Sequence, residues 1–152
     1  TKQNKMANFE MSGYADETLD AHAWCEDKDG KVVFDPHFKE YDLIKKIRDL
    51  EGEPQYEEVS TLSRQVMVII KRQIKDAKQQ GKQQGIKLTS EMIMTMFLEQ
   101  PVFGNCFSNA YAYRWFNPEV KMRVGKMGWK VKKTERCYNT TFTTDKVFWE
   151  YG

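Results

Sequence analysis

Two histidines, three cysteines and four prolines are all that the 152 residues hold of those types, and each scarcity narrows what the chain can be. Cys25, Cys106 and Cys137 are an odd set at irregular spacing. That excludes a disulfide framework and points to a reducing compartment, cytoplasmic or, equally, a host cytoplasm or virion. His22, Cys25, His37 and Cys137 are zinc-ligand types, but no CxxC or HxxxH pair nucleates a site, and on a strand His22 and Cys25 point to opposite faces. No metal or cofactor is expected. Long apolar runs are also missing: the longest, Val66 to Ile70, meets Lys71 and Arg72 at once, well short of the roughly 20 residues a membrane span needs. Thr1 to Asn8 carries basic residues with no apolar segment behind it, which does not read as a secretory signal.

What is present suffices for a core. The chain is 40% hydrophobic, 13% aromatic and 30% charged, which excludes a disordered or collagen-like chain and predicts one soluble domain over 1–152. A net charge of +2 hides a split, with residues 1–58 at −7 and residues 59–152 at +9. Such a split points to an acidic partner or nucleic acid. The cations best placed for one are Lys121, Arg123, Lys126, Lys130, Lys132, Lys133 and Arg136, which alternate with apolar residues as on a half-exposed strand pair. The basic stretch from Arg64 to Lys87 reads instead as the solvated face of a helix.

Periodicity sets the elements. Asp20 to Glu26 and Lys31 to Asp35 read as strands around the turn Asp27-Lys28-Asp29-Gly30. Phe38, Tyr41, Ile44, Ile47 and Leu50 mark a helix ended by Gly52 and Pro54. Val59, Leu62, Val66, Ile69, Ile70 and Ile74 mark a longer one from about Tyr56 to Gln80, and the glycines of KQQGKQQG predict an exposed loop over 78–87 or a frayed helix end. Thr89 or Ser90 caps a buried, Met-rich helix through Leu98. A further helix opens near Cys106 and closes at Asn117-Pro118. Val120 to Lys132 and Thr140 to Tyr151 are β-rich. The order predicts an α+β fold in which an antiparallel sheet packs with helices.

The chemistry concentrates around residue 106. A chain break followed by a cysteine in the first turn of a helix puts sulfur near the positive end of the helix dipole, where a thiolate is favoured. A cysteine nucleophile also needs an imidazole and a group to orient it. The hairpin offers both. A four-residue loop places His22 directly opposite Asp35, and a two-residue loop moves Asp35 opposite Trp24, one diagonal step from His22 on the same face. A three-residue loop with a bulge is expected to spoil the pairing. His37, beyond Pro36, reads as a loop residue. Tyr111, Tyr113, Trp115 and Phe116 read as core and rim of the helix after Cys106, and Met92, Met94 and Met96 as packing.

These residues resemble a known family. Gln100 followed by Gly104-Asn105-Cys106-Phe107 is similar to the nucleophile segment of papain-like cysteine peptidases, with Asn and Phe where Ser and Trp are usual. His22-Ala23-Trp24 and Val33-Phe34-Asp35-Pro36 are similar to the His strand and polar third member of the same superfamily. Because His precedes Cys, the order resembles the circularly permuted NlpC-like branch, found among bacterial and phage proteins. The resemblance covers about 30 residues. It implies a papain-like, permuted core and a thiol hydrolase acting on a peptide or amide bond, with Cys106 as nucleophile, His22 as base and acid, Asp35 orienting His22, and the Gln100 amide donating to the oxyanion. The alternative is a non-catalytic viral or phage structural or binding module with the same fold, contacting nucleic acid through its basic C-terminal strands.

Overall fold

In the computed structural model, which describes residues 21–99 and 106–151, the HAWCE segment forms strand β1 (His22–Glu26) and turns back into β2 (Val32–Phe34). The turn is built by Asp27. Its carbonyl accepts from Gly30 N at 3.0 Å, and its carboxylate accepts from Asp29 N and Lys31 N at 2.9 Å each. Asp27 N in turn donates to Lys31 O at 2.8 Å. Lys28 to Gly30 therefore form a three-residue loop with Gly30 in the left-handed region (φ 82°), which a glycine enters without a Cβ penalty.

That loop sets Glu26 against Val32. Continued unchanged, the register would bring Asp35 across from Ala23, on the face away from His22. It does not continue, because Cys25 pairs with Phe34 and the ladder shifts between the two pairs. Val33 is the extra residue. The bulge turns every later side chain of β2 over, and the new register carries Asp35 across from Trp24, one step from His22 on the same face. A three-residue loop with a bulge was expected to separate the two groups. Here the bulge lies within the strand and corrects the loop's offset.

Helix α1 (Phe38–Ile47) follows, with Tyr41 buried beneath it. The next segment departs from the sequence reading. Gln55–Glu58 form strand β3, Ser60–Leu62 a 3-10 turn, and helix α2 begins only at Ser63, running to Gln83. The helical spacing from Tyr56 onward is overridden by pairing: β3 lies antiparallel to β4 (Lys121–Cys137), with Tyr56 opposite Met127 and Glu58 opposite Gly125. Gly125 permits this closeness, since a Cβ there would run into the backbone oxygen of Glu57 and reach 2.8 Å from Glu58 Cα and Val59 N.

The glycine-bearing stretch also differs from the loop expected over 78–87. Lys78 to Gln83 stay helical, and Gly81 is buried where Leu88 folds back over it. Gly85 (φ 73°) ends the helix, donating to Lys82 O at 3.0 Å while Ile86 N reaches Gly81 O at 2.8 Å. This is a Schellman termination with glycine at the left-handed position. Helix α3 (Ser90–Glu99) is capped by Thr89, whose Oγ1 accepts from Met92 N at 3.2 Å. Helix α4 (Cys106–Phe116) closes at Asn117, whose side chain donates to Tyr113 O at 2.9 Å. Strand β4 then pairs with β1 along Lys121 to Gly125 and with β5 (Thr140–Tyr151) further on.

The result is the expected α+β arrangement, an antiparallel sheet of order β2-β1-β4-β3 with β5 extending from β4. On one face Ala21, Ala23, Cys25 and Val124 meet Val66, Ile69 and Ile70 of α2 and Phe107 and Ala110 of α4. On the other, Met127 and Trp129 meet Tyr41 and Leu50. Trp24 and Trp129 are fully buried. At about 150–250 Å² per aromatic and about 25 cal/mol per Å², each supplies roughly 4–6 kcal/mol of transfer free energy before ordering costs. Among the described residues no helix is long and apolar enough to cross a membrane.

Candidate active site

His22 opens β1 where the strand is sandwiched between β2 and β4, and it is 0% exposed. Its Nε2 lies 2.8 Å from Asp35 Oδ1. The remaining oxygen of Asp35 accepts from the hydroxyls of Tyr41 and, at 2.8 Å, Tyr56. His37 N donates to Oδ1 at 2.9 Å. A carboxylate buried this deeply needs donors on both oxygens, and here it has four. Burial works to raise the Asp35 pKa, but the bond to His22 and its charge, with Tyr41 and the His37 amide, bring it below the usual carboxylate value.

Tyr41 does double duty, since its oxygen is also 3.0 Å from His22 Nε2. Trp24 stacks alongside His22 with ring centroids 6.2 Å apart, and Tyr56 packs on Trp24 at 4.9 Å. The two tyrosines were not legible as site residues. Tyr41 reads as one apolar position of a helical stripe, and Tyr56 reads as the start of a helix rather than as part of a strand facing Asp35.

Cys106, the first residue of α4, is brought to this pair. It lies close enough to hydrogen-bond to His22 and, with its charge, to raise the imidazole's pKa. Burial alone would depress His22; hydrogen bonds and charge from Asp35 and Cys106 outweigh it and lift the pKa from 6.5 to about 9. His37 occupies the turn before α1, as expected, but is buried, its ring edge-on to His22 at 5.2 Å. Burial and then the charge of His22 push it down to about 4, against the pull of Asp35. Cys25 faces away, its Sγ donating to Ala110 O at 3.3 Å, and burial pushes its thiol up to about 12.

Three of the four expected site residues, Cys106, His22 and Asp35, are therefore neighbours. Gln100, the expected oxyanion donor, lies outside the described residues, as do Gly104 and Asn105. Among the described residues no three His, Cys, Asp or Glu side chains gather as a metal site would require.

The expected basic surface is reduced. Arg123 Nε lies 3.1 Å from Glu26 Oε2, and its Nη1 lies 2.9 Å from Glu58 Oε2. A guanidinium bridging two carboxylates across three strands is a sheet fastener, so Arg123 is removed from the partner-binding set. Lys126 lies over the Trp149 ring at 5.9 Å, on the face opposite Lys121 by the alternation of β4. The side chains of Lys132, Lys133 and Arg136 lie outside the described residues. No protein-family model, curated protein or solved structure matches this chain.

Proposed function

We propose that the protein is a thiol hydrolase, a cysteine peptidase or amidase, with a Cys106-His22-Asp35 triad. The observation that carries this is the meeting of a cysteine on the first turn of an 11-residue helix with an imidazole whose other side is held by a buried, four-donor carboxylate. Asp35 and Tyr41 occupy Nε2, so Nδ1 exchanges the proton with Cys106. Sulfur attacks the substrate carbonyl carbon while the thiol proton resides on His22. The tetrahedral oxyanion takes the Cys106 backbone N–H, and the Gln100 amide in the papain-like reading; one such donor contributes roughly 3 kcal/mol. His22 then protonates the departing nitrogen as the C–N bond breaks. Water, deprotonated by His22, hydrolyses the thioester and returns the thiol. Asp35 and the two tyrosines fix the tautomer and stabilise the imidazolium.

Alkylation tests this directly. Iodoacetamide at pH 6, with each cysteine's peptide followed by mass spectrometry, is expected to label Cys106 rapidly and Cys25 barely, with Cys106 labelling lost in His22→Ala. Equal sluggishness of Cys106 and Cys25 would overturn the proposal. One observation favours the second reading, a non-catalytic viral or phage structural or binding module built on a papain-like fold: Cys106 is 4% exposed and His22 fully buried, the packing of a structural polar network. That reading predicts the sluggish outcome, and its nucleic-acid version rests on Lys121, Lys126, Lys130, Lys132 and Lys133 without Arg123.

A further inference from the structure

Helix α2 carries a row of cations on the side that faces away from the core. Its buried residues, Val66, Ile69, Ile70, Gln73, Ala77 and Gly81, turn toward the sheet and toward α3 and α4. At about 100° per residue, Arg64, Lys71, Lys75, Lys78 and Lys82 fall within an arc of roughly 80° on the opposite side. All five are exposed. At about 1.5 Å per residue the row is about 27 Å long. The burial of Gly81 beneath Leu88 completes it, because the helix continues through the glycine and keeps Lys82 in line.

The row has no evident work inside the fold. Among the described residues none of the five cations is in an ion pair or lies over an aromatic ring. Asp76 is the one acid of α2, and no lysine of the row stands three or four residues from it, the spacing that would pair them. The lysines stand at that spacing from each other, 71 to 75, 75 to 78 and 78 to 82, so like charges repel along the helix. The helix dipole favours Lys82, in the last turn, and fades before it reaches Lys71 and Lys75.

What is missing from the row selects the partner. Protein interfaces are depleted in lysine and built around aromatic and arginine anchors, whereas the apolar member here is a lone valine, Val68, 53% exposed. A helix lying on a membrane turns its apolar face to lipid, and the apolar face of α2 is spent on the core. Single strands are held by stacking on aromatic side chains, and none stands on the row. A duplex presents about one phosphate charge per 1.7 Å of its axis and asks only for cations and hydrogen-bond donors. Gln79, exposed beside the lysines, adds an amide donor.

We infer that the outer face of α2 binds the phosphate backbone of a double-stranded nucleic acid, without regard to sequence, through Arg64, Lys71, Lys75, Lys78 and Lys82. The face is turned away from α4, which carries Cys106, so the inference stands apart from the thiol hydrolase reading.

Fluorescence anisotropy of a labelled duplex of roughly 20 bp, titrated with the full chain, tests this. At about 0.9 per neutralised phosphate, log K should fall against log salt with a slope near −4.5, so that raising salt from about 50 to about 200 mM weakens binding roughly 500-fold. Lys71→Gln, Lys75→Gln, Lys78→Gln and Lys82→Gln combined should bring the slope to about −0.9 and lower the affinity at about 50 mM salt a hundredfold or more. The urea midpoint of this variant should be unchanged or raised, because repulsion along the row is relieved. Removing as many charges from the C-terminal strands, with Lys121→Gln, Lys130→Gln, Lys132→Gln and Lys133→Gln, should change the slope by less than about one. A duplex of scrambled sequence should bind within about twofold of the first. No duplex binding at about 50 mM salt, or a slope unmoved by the helix substitutions, overturns the inference. So does a loss in the strand variant as large as that in the helix variant, or a lowered urea midpoint in the helix variant, which would give the lysines a structural role. Tighter binding to a single strand of the same length, or to phosphatidylserine–phosphatidylcholine vesicles, overturns the assignment to a duplex.

Discussion

Raising the pH from 6.5 to 8 is expected to destabilise the fold by about 1.5 kcal/mol, and lowering it from 6.5 to 5 by a similar amount, because two neighbouring histidines are shifted in opposite directions. His22 has a folded pKa of about 9 against an ordinary 6.5. Its contribution is fully present below 6.5 and is lost as pH rises through 9, since the unfolded chain releases a proton that the native state retains. His37 has a folded pKa of about 4. Its contribution is present above 6.5 and is lost as pH falls through 4, since the unfolded chain takes up a proton that the native state refuses. Asp35 stays ionised across this range, its pKa held low by His22 and Tyr41 against the effect of burial. The two limbs cross near pH 6.5, each with a limiting slope of about 1.4 kcal/mol per pH unit. Urea denaturation at pH 5, 6.5 and 8 measures both limbs. Asp35→Asn removes the main support of the His22 proton and flattens the alkaline limb, while His37→Gln removes the acid limb. Flat stability from pH 6.5 to 8, or an alkaline limb unchanged in Asp35→Asn, would refute the reasoning, as would a His22 ring resonance titrating at or below 6.5.

Other outcomes follow from the same geometry. Tyr41→Phe and Tyr56→Phe each remove a donor from Asp35 Oδ2 and should each lower the unfolding free energy by about 1.5–3 kcal/mol, the range for hydrogen bonds to charged groups; denaturation at pH 7 checks this. The double variant should fall short of the sum if the remaining tyrosine compensates. Gly125→Ala forces a Cβ into the backbone of β3 and should cost about 3 kcal/mol or more, seen as a lowered denaturation midpoint. Gly85→Ala, at φ 73°, should cost about 1 kcal/mol with the denaturant slope unchanged.

The hairpin was legible because strand alternation and an Asp-Gly turn are local signals. So was the placement of His22 near Asp35, with Asp35 opposite Trp24 as one of the two proposed registers has it, although a three-residue loop and a bulge produce it rather than a two-residue loop. The bulge at Val33 is set by how β2 lies against β1, and no residue type announces it. Tyr56 was misplaced for a related reason: its helical spacing is real, but an open edge of β4 at Gly125 draws the segment into a strand. The carboxylate's tyrosine donors were invisible for the same cause, since both reach Asp35 only through tertiary packing. Gly81 looked like a breaker, yet it is buried in α2 because the returning chain at Ile86 and Leu88 leaves no room for a side chain. Arg123 was counted with the surface cations because its partners Glu26 and Glu58 are distant in sequence and adjacent only across the sheet.

Val33's single unpaired residue has a consequence for how this chain can vary. The carboxylate reaches the imidazole because the bulge takes up one residue between Glu26 and Asp35 without changing which residues pair on either side of it. Loss of Val33 would leave Glu26 opposite Val32 and Cys25 opposite Phe34 in an unbroken ladder, with Asp35 still across from Trp24, whereas one more paired residue after Val33 would hand Asp35 to the side of the sheet occupied by Ala23 and the helices. Composition in the loop is nearly free by comparison, provided Asp27 and Gly30 remain. Variants that keep the triad should therefore include chains one residue shorter at Val33, a freedom in length that no substitution table for the individual positions would reveal.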